Sequence, residues 1–225
     1  SAIWRAADWH QTGRYLINYS EMRDNNVQTI TFAESHDLIH WRRPSELGPF
    51  FNGTYFDIDT AAGYTSPGRW DTIYSIPAPG ATQENARDGY PRYGYWTASP
   101  TPGTFGFGVT EDGVSWTALE SPRMEPPIGA ELGAVEYIPF NNGSGGAYFA
   151  LLGYGWPRTM LTYASPTPAG PFVRAIRNVN VINGSCYYAR FFRGPQMEPL
   201  VTHQTWTNKG THVSYISPFK LAALD

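Results

Sequence analysis

The chain has 225 residues, with 16 Lys and Arg against 19 Asp and Glu, a formal net charge of −3 and a pI near 5.9. That balance offers no basic surface for nucleic acid, and no apolar run approaches the roughly 18 residues that cross a bilayer as a helix. The length fits one domain with a substantial core, and Cys186, the single cysteine, excludes an intrachain disulfide.

With 23 Gly and 19 Pro, the composition suits many short strands joined by many turns. Helical periodicity is almost absent, so strands are predicted in chain order. A first unit reads Ile3–His10, Arg14–Ser20, Val27–Ala33 and Ile39–Arg42. After the connector Arg43–Gly53, a second reads Trp70–Pro77, Arg92–Ala98, Phe105–Thr110 and Val114–Leu119. The third takes Gly133–Phe140, Ala147–Tyr154, Met160–Ala164 and Phe172–Ala175, and the last Cys186–Arg193, Pro199–Trp206 and Thr211–Ile216.

Two segments repeat across these units, Ser35-His-Asp37-Leu-Ile-His40-Trp41 and Thr110-Glu-Asp112-Gly-Val-Ser-Trp116. A hydroxyl residue, an Asp and a closing Trp suit a tight turn between antiparallel strands. The Asp accepts backbone N–H groups, and the Trp is expected to plug between sheets. Recurrence over tens of residues predicts a repeat architecture, most simply a β-propeller. Four units nearly exhaust the chain, which leaves a four-bladed propeller or a five-bladed one whose first or last strands lie beyond this sequence; five is the favoured reading.

The chain resembles the five-bladed β-propeller glycoside hydrolases, the clan of families 32, 43 and 68. The resemblance is carried by the two Asp-turn-Trp units, by Glu131-Leu-Gly-Ala-Val-Glu136-Tyr-Ile with Ala147-Tyr-Phe-Ala-Leu-Leu152, and by Pro166-Thr-Pro-Ala-Gly-Pro-Phe172. Neither the family 32 nucleophile sequence nor an Arg-Asp-Pro triplet is present; Arg87-Asp88-Gly89 comes nearest. The likeness implies an all-β single domain over 1–225 built of four-stranded antiparallel blades. It implies a glycosidase acting on a carbohydrate without a cofactor, with its acids on the innermost strands around an axial pocket.

Glycoside cleavage needs one carboxylic acid to protonate the leaving oxygen and one carboxylate as base or nucleophile. The acids on predicted inner strands are Asp8, Asp71, Glu131 and Glu136. By the family pattern, with a Glu four residues ahead of an aliphatic position (here Val135), Glu131 is the expected general acid and Glu136 the alternative. On a regular strand these two would point to opposite faces. Asp71, after Arg69 and Trp70, is expected as base or as tuner of the acid's pKa. Asp8 is read either as base or as a turn acid, and Asp57 and Asp59 as connector acids. Arg190, His203 and Tyr188 suit sugar hydroxyl or carboxylate groups, and Trp70, Trp96 and Trp206 suit stacking on a sugar face.

The five histidines show no zinc spacing, so no metal centre is expected. Sequons at Asn18, Asn52, Asn142 and Asn183 hint at secretion or a periplasmic location. Two other readings stay open at this level. One is a non-catalytic, lectin-like propeller, and the other is a sialidase, whose repeats have one more residue between Asp and Trp.

Overall fold

The structure, a computed structural model, describes residues 3–22, 28–43, 73–82, 89–97, 105–113, 115–127, 131–140, 145–154, 159–175, 186–193, 199–206 and 212–218. Among the described residues it is all-β apart from one helical turn. Among the described residues no helix is long and apolar enough to cross a membrane. The chain packs as two compact units, Ser1–Pro122 and Arg123–Asp225.

The first unit holds two antiparallel sheets. One has the order β1 (Ile3–Arg5), β2 (Tyr15–Met22), β3 (Gln28–Ser35). The other runs β4 (Tyr74–Thr82), β5 (Tyr90–Trp96), β6 (Gly106–Thr110), β7 (Thr117–Leu119). Their buried side chains Trp4, Leu16, Ile30, Phe32, Ile73, Trp96 and Trp116 form one core. Trp4 meets Phe32 and Trp116 edge to face, at centroid distances of 6.0 and 6.5 Å. Polar pins cross the same joint. Tyr90 Oη donates to the Arg5 carbonyl at 2.7 Å, and the Asn18 side chain binds the backbone of Ile73 from both sides.

Two predicted strands of the first sheet are overturned. Strand β1 stops at Arg5, where the chain turns into α1 (Trp9–Thr12), a single turn. Gly13 closes it at φ 67°, a conformation that brings its N–H within 2.6 Å of the Trp9 carbonyl. Ile39–Arg42 is no strand either. Residues 36–40 are consumed by the turn, and Arg42 alone bridges back to Glu34.

The second unit begins with β8 (Met124–Glu125) and continues with β9 (Glu131–Pro139), β10 (Gly146–Tyr154), β11 (Thr159–Ser165) and β12 (Phe172–Arg174). Their order is β8-β12-β11-β10-β9, with β8 parallel to β12. The expected four-stranded blade is therefore five-stranded here. The added outer strand occupies the edge that β12 would otherwise expose, where Phe172 N–H donates to the Arg123 carbonyl at 2.8 Å. A three-stranded sheet follows, β13 (Cys186–Arg193), β14 (Pro199–Trp206) and β15 (His212–Pro218), and β13 packs beside β9, β10 and β11.

The turn half of the Asp-turn-Trp reading holds at both positions. Asp37 Oδ1 accepts from the N–H groups of Ile39 and His40 at 2.9 and 2.7 Å, and Ser35 Oγ accepts from Leu38 N–H at 2.9 Å. Asp112 Oδ1 accepts from Ser115 N–H at 2.7 Å, and Thr110 Oγ1 from Gly113 N–H at 2.9 Å. The residue three after the hydroxyl has positive φ in both turns, 63° at Leu38 and 90° at Gly113. The two tryptophans differ. Trp116 is buried in the joint over Gly94 as expected, whereas Trp41 stays half-exposed and donates to the Leu38 carbonyl of its own turn.

Candidate active site

Glu131 occupies the first rung of β9, an edge strand of its sheet, paired with Gly153. Glu136 is half-buried and paired with Phe149. The expectation that these residues take opposite faces assumes a regular strand, and β9 is not regular. Between the pairs Leu132–Leu152 and Ala134–Leu151 the register shifts, leaving Gly133 as an extra residue, a β-bulge. Five steps along β9 thus match four along β10, from Gly153 to Phe149. The ladder assigns the two glutamates rungs of the same parity, about 13 Å apart at a strand's rise per residue. Paired glycosidase carboxyls stand roughly 5 to 10 Å apart, so a partner for Glu131 is better sought on another strand than at Glu136.

Asp71 and Trp70 lie outside the described residues, as do Arg69, Asp57 and Asp59. The chain resumes at Ile73, which is locked in place. Its side chain is 1% exposed within the core. Its N–H donates to Asn18 Oδ1 at 2.8 Å, and its carbonyl accepts from Asn18 Nδ2 at 2.9 Å. Asn18 itself is fully buried, with 0% exposure, so the sequon it heads is closed to modification in the folded protein. Asn52, Asn142 and Asn183 lie outside the described residues.

Asp8 has a structural occupation. Its carboxylate accepts from Arg14 Nη2 through both oxygens, at 3.1 and 3.0 Å, while its carbonyl receives the N–H groups of Gln11 and Thr12 in α1. Arg14 Nη1 also donates to Glu34 Oε2 at 3.3 Å, and Arg42 donates to the other Glu34 oxygen. Glu34 is buried, so this network of two acids and two guanidiniums offsets the loss of its hydration. Asp8 moreover follows the end of its strand, whereas Glu131 opens its own; the two do not hold equivalent positions in their sheets.

The residues expected to bind sugar divide. Trp96 is 1% exposed, with its indole laid over Gly106 and Gly108, so it is a core residue with no face free for a ring. Arg190 is half-buried on β13, on the rung shared with Thr202, and Tyr188 is paired with Gln204. His203 is paired with Ala189, one rung from Arg190, so these two sit at positions of opposite pleat. Trp206 ends β14 opposite His212.

Two polar groups to which the sequence reading gave no structural role are firmly built in. Arg92 is buried on β5, its Nε donating to Ser75 Oγ at 2.9 Å and its Nη2 to the Ser75 carbonyl at 3.2 Å. Asn18 is the other. The signal for each was a lone polar residue inside an otherwise apolar or aromatic strand. Of the titratable groups, Asp37 is held well below the ordinary carboxylate range, chiefly by the hydrogen bond to the His40 ring at 2.7 Å and then by the backbone N–H groups of its turn. Burial pushes the Tyr163 phenol up.

Comparison with solved structures finds this fold in glycoside hydrolases, the class that the sequence resemblance points to. An endo-arabinase from Bacteroides thetaiotaomicron is similar at a TM-score of 0.63, with 10% identity, over 93% of this chain and 72% of that one. A thermostable family-43 glycoside hydrolase matches at 0.59, with 11% identity, over 93% and 69%. A Bombyx mori GH32 beta-fructofuranosidase matches at 0.56, with 10% identity, over 85% of this chain and 40% of that one. The likeness is one of fold. No family model and no curated protein matches the sequence.

Proposed function

We propose that the chain is a glycoside hydrolase, a single β-propeller domain over 1–225, that cleaves an oligo- or polysaccharide with a carboxylic acid/carboxylate pair. Glu131 is the general acid that protonates the leaving oxygen. Asp71 is the carboxylate that activates water or attacks the anomeric carbon. The observation that carries this reading is the place of Glu131, on the first rung of an edge strand in a fold shared with glycosidases. Supporting it, the bulge at Gly133 puts Glu136 too far along the ladder to be the natural partner. Asp8 is left out because Arg14 engages both of its oxygens. Trp70, Tyr188, Arg190, His203 and Trp206 are assigned to sugar contacts, and Trp96 is not. Export to a secreted or periplasmic location rests on the sequons at 52, 142 and 183, since Asn18 is buried.

The test is a panel of aryl-glycosides and polysaccharides. Arabinose- and fructose-containing polymers head it because an endo-arabinase and a beta-fructofuranosidase are among the structural neighbours. Turnover of any member supports the reading. Glu131→Gln should then lower kcat by about 10²- to 10⁴-fold, the usual worth of general acid catalysis, with an unchanged melting temperature. Full turnover by that variant would remove Glu131 from the role.

A further inference from the structure

The hairpin of β9 and β10 carries an exposed aromatic surface at the end remote from Glu131. Tyr137 shares a rung with Tyr148, five rungs from the pair Glu131–Gly153, or about 17 Å at a strand's rise per residue. Its rung has the opposite parity to those of Glu131 and Glu136. Val135, Tyr148 and Ala150 share its face of the sheet and are all buried. Tyr137 is 39% exposed, yet its ring is held in place. It packs on Tyr148 at a centroid distance of 5.1 Å and lies against Gly146, where an added methyl group would fall 2.6 Å from Cζ. Phe140, three residues on, is 43% exposed, and its N–H donates to the Gly145 carbonyl at 2.8 Å, so the hairpin continues past the last rung.

Size and charge together select what such a surface takes. Two aromatic rings exposed to this degree offer about 150 Å², against the roughly 800 Å² that each partner of a stable protein interface buries. That area is too small for a protein and is matched to the faces of sugar rings. The hairpin, residues 131–154, has no Lys or Arg, and its only acids are Glu131 and Glu136, so it has no cation to draw an anionic polymer. The two rings are about 10 Å apart along the strand direction, more than one monosaccharide covers.

We propose that Tyr137 and Phe140 form a second carbohydrate-binding surface, separate from the candidate active site, that holds a neutral polysaccharide chain by stacking on its sugar rings. A polymer reaches both rings at once and a monosaccharide only one, so the surface favours the chain. The inference goes beyond the glycosidase reading and does not depend on it, since binding requires no turnover.

Affinity electrophoresis in gels containing arabinan, fructan or hydroxyethyl cellulose tests it, with polygalacturonate as the anionic comparison. At least one neutral polymer should retard the parent. Tyr137→Ala and Phe140→Ala should each weaken that retardation about fivefold, while kcat/KM on a small aryl-glycoside stays unchanged. Glu131→Gln should be retarded as the parent is. If the lost contact with Tyr148 keeps Tyr137→Ala from folding, Phe140→Ala, at the rim of the hairpin, carries the comparison. Parental retardation in the folded variants, retardation by polygalacturonate alone, or none by any neutral polymer would overturn the proposal. So would a parent dimer in sedimentation that either variant dissolves, because the patch would then be a contact between copies of the chain. A parent that binds polymer through these rings but turns over no glycan ends the glycosidase reading and leaves this one standing.

Discussion

At Gly106 a methyl group would fall inside the Trp96 indole, which is buried and hemmed in by the core. Gly106→Ala should therefore cost about 2 kcal/mol, the usual penalty for overpacking, read from the midpoint of urea unfolding. Glu34 poses the opposite case, a buried acid between two guanidiniums. Glu34→Gln leaves Arg14 and Arg42 facing a neutral amide and should lower stability by about 1–2 kcal/mol. That is below the cost of breaking a fully buried pair, because Arg42 is half-exposed. Thermal unfolding of the variant at neutral pH measures it. At this scale the sequence was informative about residue types and poor about their occupations. Trp96 and Asp8 read as site residues on chemistry alone. What decides against them is a glycine across the strand in one case and an arginine six residues on in the other, and neither partnership leaves a local pattern.

Turns were the most legible elements, because their hydrogen bonds close within a few residues. A Ser or Thr, an Asp two positions later and a residue at positive φ next define the geometry before any tertiary contact forms. Asp37 gives this turn a measurable signature. Its folded pKa lies below its unfolded value, so the stability it contributes is fully present above the ordinary carboxylate range and is lost as pH falls through the folded pKa. The melting temperature of Asp37→Asn should lie below that of the parent at pH 7, and the gap should narrow below about pH 4, where the unfolded Asp takes up its proton. A gap constant from pH 7 to strongly acidic conditions would assign the effect to shape and not to charge. Less legible were α1, β8 and the bulge at Gly133. One helical turn and a two-residue parallel strand are too short to set a periodicity. A bulge is defined by the register of the partner strand, which no single strand reveals.

Across the whole molecule the succession of strand units was enough to predict an all-β chain of several antiparallel sheets, and the solved neighbours share its fold at about a tenth identity. Such low identity is physically reasonable, since a blade asks only for alternation, turn residues and bulk between sheets, which many sequences supply. Chemistry is less forgiving, and the assignment of Glu131 and Asp71 is where it meets the test. Asp71→Asn and Glu131→Gln should each lower turnover of whichever glycan the parent cleaves by orders of magnitude, and near-native circular dichroism should accompany both. Azide or formate should restore part of the activity of Asp71→Ala if Asp71 is the nucleophile or base, by supplying a small anion to the vacated position.

The burial of Asn18 also bears on how the polypeptide can be made. A host that attaches oligosaccharides during translocation meets an Asn-Tyr-Ser triplet before the first two sheets have closed. A glycan added there would have to occupy the interior of a packed joint, and the chain carrying it could not reach the native state. Production in a eukaryotic secretory host should consequently yield a correctly folded fraction that is unmodified at position 18, with any modified fraction retained or degraded.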